Sequence, residues 1–338
     1  MNGFERINKT LKGEWPDKRP VMLHNFMMAA AEAGYSMKAF RENPQNAADA
    51  FIQSVEKYDL DGVMIDFDTT LLAGAIGVPV DYPENEPARI PKGLISSWEQ
   101  MDELKDVDIS TNQRVQIWLE TCRIIKKHFG DEVFVRGNCD QAPFSIASMV
   151  RGAQVWMLDL MVPGEEVVQL LEYCTKVSCQ FIDLMVETGV DMVSNGDSPA
   201  GPEMISPEMF REFALPYEKK LVEVAHGHGL PYLNHICGNT DIILEDMLKS
   251  GTDGLELDYK TDVHLILKYL GKSNLFIGNI DPSGVLAFGT TQIVKTKTLE
   301  LLEIYKDSPR LVVNAGCAIP AETPSENIKE LVNTVHNF

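Results

Sequence analysis

His235 and Cys237 stand two apart in the apolar run Leu230-Pro-Tyr-Leu-Asn-His-Ile-Cys-Gly238. In an extended strand, residues i and i+2 share a face, so the imidazole and the thiol point at one place. Cys317 follows 80 positions later in Leu311-Val-Val-Asn-Ala-Gly-Cys-Ala-Ile-Pro320, at the carboxyl end of another strand-like run. Three nitrogen and sulfur ligands with a fourth place left over describe a catalytic zinc, whereas structural zinc takes four protein ligands. Zinc is the expected metal because thiolates and imidazole suit it and it brings no redox chemistry. Two thiolates and one imidazole leave the ion one positive charge with which to deprotonate an incoming thiol at neutral pH. Asp258, on one strand face with Glu256, is the oxygen donor expected at the fourth position, although both also read as ordinary strand-end acids. The two thiols have a plainer reading as buried apolar side chains, which the nearby imidazole weakens.

For residues so far apart to meet, the elements must bring distant strand ends together. Eight β-branched runs recur: 20–26, 62–68, 132–140, 191–197, 231–237, 254–260, 274–281 and 310–317. Helical periodicity separates them at 47–58, 112–128, 165–188, 207–226, 242–249, 263–270 and 293–306. Strands alternating with helices predict a parallel α/β fold. The first strand is followed by His24-Asn25-Phe26-Met27-Met28, without the glycine fingerprint of an open dinucleotide-binding sheet. A closed (β/α)8 TIM barrel, one domain over 1–338, is therefore expected, with its chemistry at the strand carboxyl ends. Polar residues gather there, Asn138, Asp140, Asn195, Asp197, Asn279 and Asp281 among them, though turns alone also select Asn and Asp. A short helix at 3–12 precedes the barrel, and the proline-containing stretch 77–97 is expected to decorate the catalytic face.

Composition narrows the partners. A formal net charge of -20 disfavours nucleic acid and anionic membranes, and no apolar run reaches the roughly 18 residues of a membrane span. The six irregularly spaced cysteines do not form a secreted disulfide framework, and the N-terminus lacks a signal core, so a cytoplasmic protein with reduced thiols is expected. The sequence His226-Gly-His-Gly229 falls where a helix ends before a strand, on the stability face of a barrel, and is read as a helix C-cap. Cys174 and Cys179 are read as core residues of one amphipathic helix.

Several motifs carry a resemblance: His235-Ile-Cys-Gly-Asn-Thr240, Gly278-Asn-Ile-Asp-Pro282, Gly316-Cys-Ala-Ile-Pro320 and Thr323-Pro-Ser-Glu-Asn327. Together they resemble the uroporphyrinogen decarboxylase superfamily over nearly the whole chain, and within it the methylcobalamin:coenzyme M methyltransferase branch. That resemblance implies zinc held by His235, Cys237 and Cys317, and a bound thiol that exchanges a methyl group with a corrinoid, either methylcobalamin or one borne on a carrier protein. It implies that Asp197, in the turn Gly196-Asp-Ser-Pro-Ala-Gly201, orients a substrate or corrinoid group, and that Asp68 stands where the decarboxylases keep an aspartate. Those two are assigned to catalysis, and Asn138 and Asn279 to the corrinoid. The first strand lacks the arginines with which the decarboxylases hold porphyrinogen carboxylates. A sulfonated thiol such as coenzyme M needs a cation, for which Lys260 and Arg136 are the strand-end candidates, both also readable as peripheral charges. Metal-independent decarboxylation, a non-catalytic corrinoid- or metal-binding module, and transfer toward the corrinoid from a methoxy or methylamine donor stay open as alternatives.

Overall fold

A computed structural model describes residues 1–104, 106 and 108–338. Eight strands run in chain order: β1 Met22–Leu23, β2 Gly62–Ile65, β3 Phe134–Gln141, β4 Met192–Gly196, β5 Tyr232–Ile236, β6 Gly254–Leu257, β7 Leu275–Ile280 and β8 Leu311–Ala315. Each pairs in parallel with the next. A parallel bridge from Val21 to Val313, with the Val313 amide donating to Pro20 at 2.9 Å, joins the last strand to the first. The result is an eight-stranded α/β barrel of the TIM type. Most strands stop short of the expected boundaries, because the residues past each end turn to build the mouth.

Strand alternation sorts the barrel into an outer and an inner surface. Val21, Leu23, Val63, Ile65, Val135 and Val193 point outward into the continuous core beneath the helices. Met22, Phe134, Met192, Leu233, Leu275, Ile277 and Val312 point inward and fill the amino-terminal half of the barrel. The helix Gly3–Lys12 closes that end, with Ile7 fully buried against this inner cluster. Its start is fixed by a capping box between Asn2 and Glu5. With the amino-terminal half filled, the interior opens only toward the strand carboxyl ends.

The helices differ from the periodicity reading in places. The span 207–226 divides into Pro207–Phe213 and Leu215–Gly227, because Pro216 has no N–H to donate and fits only in a first helical turn. Short helices at Phe26–Glu32, Met37–Glu42, Leu71–Ala75, Pro143–Arg151 and Ala153–Asp159 and the C-terminal helix Ser325–His336 lie outside the anticipated segments. The first five are too short for several turns of amphipathic periodicity to show. The stretch 77–97 carries one antiparallel bridge, Asp81 to Arg89, and brings Pro87 to the wall of the interior cavity.

Candidate metal and substrate site

β5 ends at Ile236, so His235 faces the barrel interior from the strand and Cys237 from the first residue of the loop. Gly238 turns the chain away with a left-handed φ of 83° and donates its amide to Asp258 Oδ2 at 3.0 Å. β8 ends at Ala315, and Gly316 then lies tight against the loop after β6. A Cβ at Gly316 would sit 2.6 Å from the Tyr259 amide nitrogen, so only glycine permits the approach that carries Cys317 toward β5. The ligand atoms of His235, Cys237 and Cys317 all fall within 4.8 Å of one another. His235 Nε2 is 3.0 Å from Cys237 Sγ, and the two sulfurs are 3.5 Å apart. Tetrahedral zinc, with bonds of about 2.0–2.3 Å, sets neighbouring ligand atoms roughly 3.3–3.8 Å apart.

The His235 tautomer is set from behind. Nδ1 lies 3.0 Å from the Glu256 carbonyl, which can only accept, so Nδ1 carries a proton and Nε2 is the nitrogen that faces the thiols. Either sulfur can donate across this contact, and the close pair, with His235 beside it, drives the two thiol pKa values apart, Cys237 down and Cys317 up. The donor chemistry, the preset tautomer and the spacing fit zinc.

Other expected site residues sort differently. Asp258 stands outside the cluster of His235, Cys237 and Cys317: Oδ2 accepts from the Gly238 amide and Oδ1 from the Lys260 amide, both at 3.0 Å, so its carboxylate ties two loops together. Asp197 faces away from the interior. Its Oδ1 accepts from the Ser145 amide at 2.9 Å and hydroxyl at 2.6 Å, capping the helix Pro143–Arg151. Glu218 lies beside it, and burial raises the pKa of both carboxyl groups. Asn279 lines a different cavity, outside the barrel mouth, with Tyr259 and Val285. Asp68 and Asn138 do face the interior cavity, which measures ≈ 360 Å³ and also borders His235, Cys237 and Cys317. Lys260 is exposed and paired with Glu203 at 3.2 Å. Arg136 is not peripheral but fully buried inside the barrel. His226 and His228 bond Asp253 and Asp183 at 2.8 and 2.7 Å, at the helix end expected of them.

A closed ring of six side chains forms the cavity floor. His24 Nε2 lies 2.7 Å from Asp66 Oδ2, and Asn138 donates to Asp66 Oδ1 at 3.1 Å. Ser194 Oγ donates to Asn138 Oδ1 at 3.4 Å and accepts from Arg136 Nε at 2.8 Å. Arg136 Nη1 pairs with Glu256 Oε2, and Glu256 Oε1 lies 3.4 Å from His24 Nδ1. Burial works against the Glu256 carboxylate, but Arg136, His24 and His235 outweigh it and hold its pKa below the usual range. Burial likewise lowers the His24 pKa, yet Asp66 and Glu256 overcome this and raise it to about 9. Glu256 links this ring to the metal site, since its backbone carbonyl orients His235. The ring went unread in the sequence, where its signal is a repeated switch from an apolar to a polar inward residue: Met22 to His24, Met64 to Asp66, Phe134 to Arg136, Met192 to Ser194.

The sequence profile described as uroporphyrinogen decarboxylase matches residues 2–338. Among similar proteins, the methylcobamide:CoM methyltransferase MtbA of Methanosarcina acetivorans is 29% identical over 279 residues, 82% of this chain and 80% of the relative. A uroporphyrinogen decarboxylase of Microcystis aeruginosa is 26% identical across 98% of this chain and 96% of its own. A solved methyltransferase from Methanosarcina mazei superposes with a TM-score of 0.91 at 25% identity, covering 100% of this chain and 99% of that one.

Proposed function

This chain belongs to the uroporphyrinogen decarboxylase family, and from that premise we propose a zinc-dependent methyltransferase that moves a methyl group between a corrinoid and a thiol. The observation that carries the reading is the convergence of His235, Cys237 and Cys317 beside an open cavity at the barrel mouth. A relative named for methylcobamide:CoM methyl transfer supports the choice of corrinoid and thiol. When bound, zinc supplies a Lewis acid that holds an added thiol as its thiolate at neutral pH. Cys237 and Cys317 provide the sulfur ligands, and the Glu256 carbonyl holds the His235 ring to its task. The apolar wall of Phe26, Met27, Met64 and Met149 keeps water from the reacting sulfur. In the transfer, the thiolate sulfur bonds to the methyl carbon as the cobalt–carbon bond breaks. The bonding pair stays on cobalt, taking Co(III) to Co(I), and the thiol proton goes to solvent. A corrinoid of that bulk reaches the mouth on a carrier protein.

Asp68 in the cavity and the decarboxylase relative favour a second reading, metal-independent decarboxylation. The two separate on metal dependence. Zinc-loaded protein, methylcobalamin and a panel of thiols are expected to give Co(I) or Co(II) absorbance changes. Cys237→Ala and Cys317→Ala are expected to weaken metal binding by more than the roughly 10- to 100-fold typical of losing a supporting partner. Asp258→Asn is expected to keep one metal per chain. Full methyl transfer by the metal-free Cys237→Ala/Cys317→Ala protein would sink the proposal.

A further inference from the structure

The two sulfurs of the triad lie against each other, and we infer that Cys237 and Cys317 are a redox pair, which a hydroperoxide closes into a disulfide that excludes the metal. This rests on the zinc site of the preceding reading and names how that site is switched off. Among the described residues, the contact of Cys237 with Cys317 at 3.5 Å is the one between two cysteine sulfurs, and all six cysteines are free. Cys122, Cys139 and Cys174 are fully buried in the core, where no oxidant reaches them, and Cys122 lies against the Met185 sulfur at 3.6 Å. Cys179 is half-buried on the helix Glu165–Val186.

Both residues of the pair border the cavity of ≈ 360 Å³ and are only partly buried, so a small oxidant reaches them from the barrel mouth. Neither belongs to the ladder of its strand. Cys237 is the first residue past β5 and Cys317 the second past β8, so side-chain rotation and the loops supply the approach from 3.5 Å to the roughly 2.0 Å of a disulfide. One sulfur attacks the hydroperoxide: its S–O bond forms as the O–O bond breaks, and hydroxide leaves with the bonding pair. The second sulfur then attacks the sulfur of this sulfenic acid and expels hydroxide. Two thiols thus give two electrons to the peroxide, and their two protons turn the two hydroxides into water. With the resolving sulfur already in contact, the sulfenic acid is captured before a second peroxide carries it to the irreversible sulfinic acid. A disulfide offers no thiolate to a metal and leaves His235 as the one remaining donor of the triad, so oxidation releases zinc. Bound zinc, in turn, engages both sulfurs and slows the oxidant.

The test uses the full-length protein, metal-free and zinc-loaded, with hydrogen peroxide as the probe. Thiols are titrated in denaturant, linked peptides are identified by mass spectrometry of the unreduced digest, and zinc release is followed with a chromogenic chelator. The metal-free protein is expected to lose two of its six thiols and to yield one linked pair, the peptides of Cys237 and Cys317. Zinc-loaded protein is expected to react more slowly and to release its zinc in step with thiol loss. Dithiothreitol, once removed again, is expected to have restored both thiols and, on addition of Co²⁺, the visible absorption of thiolate ligation. Cys179→Ser is expected to respond as the unsubstituted protein does, whereas Cys317→Ser is expected to let Cys237 run on to sulfinic acid. Recovery of Cys237 and Cys317 as free thiols or sulfinic acids, or a link through another cysteine, overturns the inference. Zinc that stays bound after the link has formed overturns the exclusion of the metal. Failure of the reduced protein to bind zinc at all strikes instead at the proposed function, and the metal-free protein still decides the link. The linked peptides of the unsubstituted protein decide the pairing even if Cys317→Ser folds poorly.

Discussion

At the scale of single residues, the buried ring shows how a charged floor survives inside a barrel. An isolated charge there would be strongly disfavoured, but each ring member meets at least two polar partners from neighbouring or facing strands. His24 makes the ring sensitive to pH. Its pKa lies above the ordinary 6.5, at about 9, so its stabilising contribution is complete below the unfolded value and is lost as pH rises through about 9. Urea midpoints of the wild type are expected to fall across that window, and more steeply than those of His24→Gln. Parallel pH profiles for the two proteins would show that His24 is neutral in the fold. Glu256 titrates in the opposite direction, with its carboxylate favoured by folding, so its contribution weakens only in acid.

Among elements, the helix Pro143–Arg151 shows a side chain acting at a distance from the chemistry. Asp197 follows β4 and caps this helix through Ser145, while Met149 on the same helix borders the cavity. The cap therefore sets one wall of the site without touching its contents. Asp197→Ala leaves the buried Ser145 amide and hydroxyl without their acceptor. A stability loss of about 1–3 kcal/mol is expected in urea denaturation, with metal content unchanged. Loss of thiol binding at unchanged stability would instead return Asp197 to the reacting site. The backbone bond from the Asp197 amide to the His235 carbonyl, 2.8 Å, survives the substitution and keeps β5 in place.

For the whole molecule, the barrel is stoppered at one end and reactive at the other. Ile7 fills the centre of the stopper beneath Met22, Phe134 and Leu233. Ile7→Ala is expected to lower stability by about 2–5 kcal/mol, measured by urea denaturation, with Co²⁺ ligation unaltered. A loss below about 1 kcal/mol would mean that the helix Gly3–Lys12 merely rests on the barrel. Much of this plan was legible in the sequence, because strand and helix periods and the switch at strand ends are local properties. The eight β-branched runs, the barrel they imply and the pairing of His235 with Cys237 needed only the spacing of residues. Cys317 was expected beside that pair only through the barrel and the family motif, and what brings it there is closure of the barrel and the tight approach at Gly316, which no local pattern encodes. Direction was the other decision left to the tertiary structure. Asp68, Asp197, Asn279 and Asp258 look alike as polar residues at strand ends, yet one borders the cavity, one caps a helix, one faces an outer cavity and one ties two loops. Which way a side chain points past the end of a strand depends on the amides and charges that surround it there, and those come from elements far away in the chain.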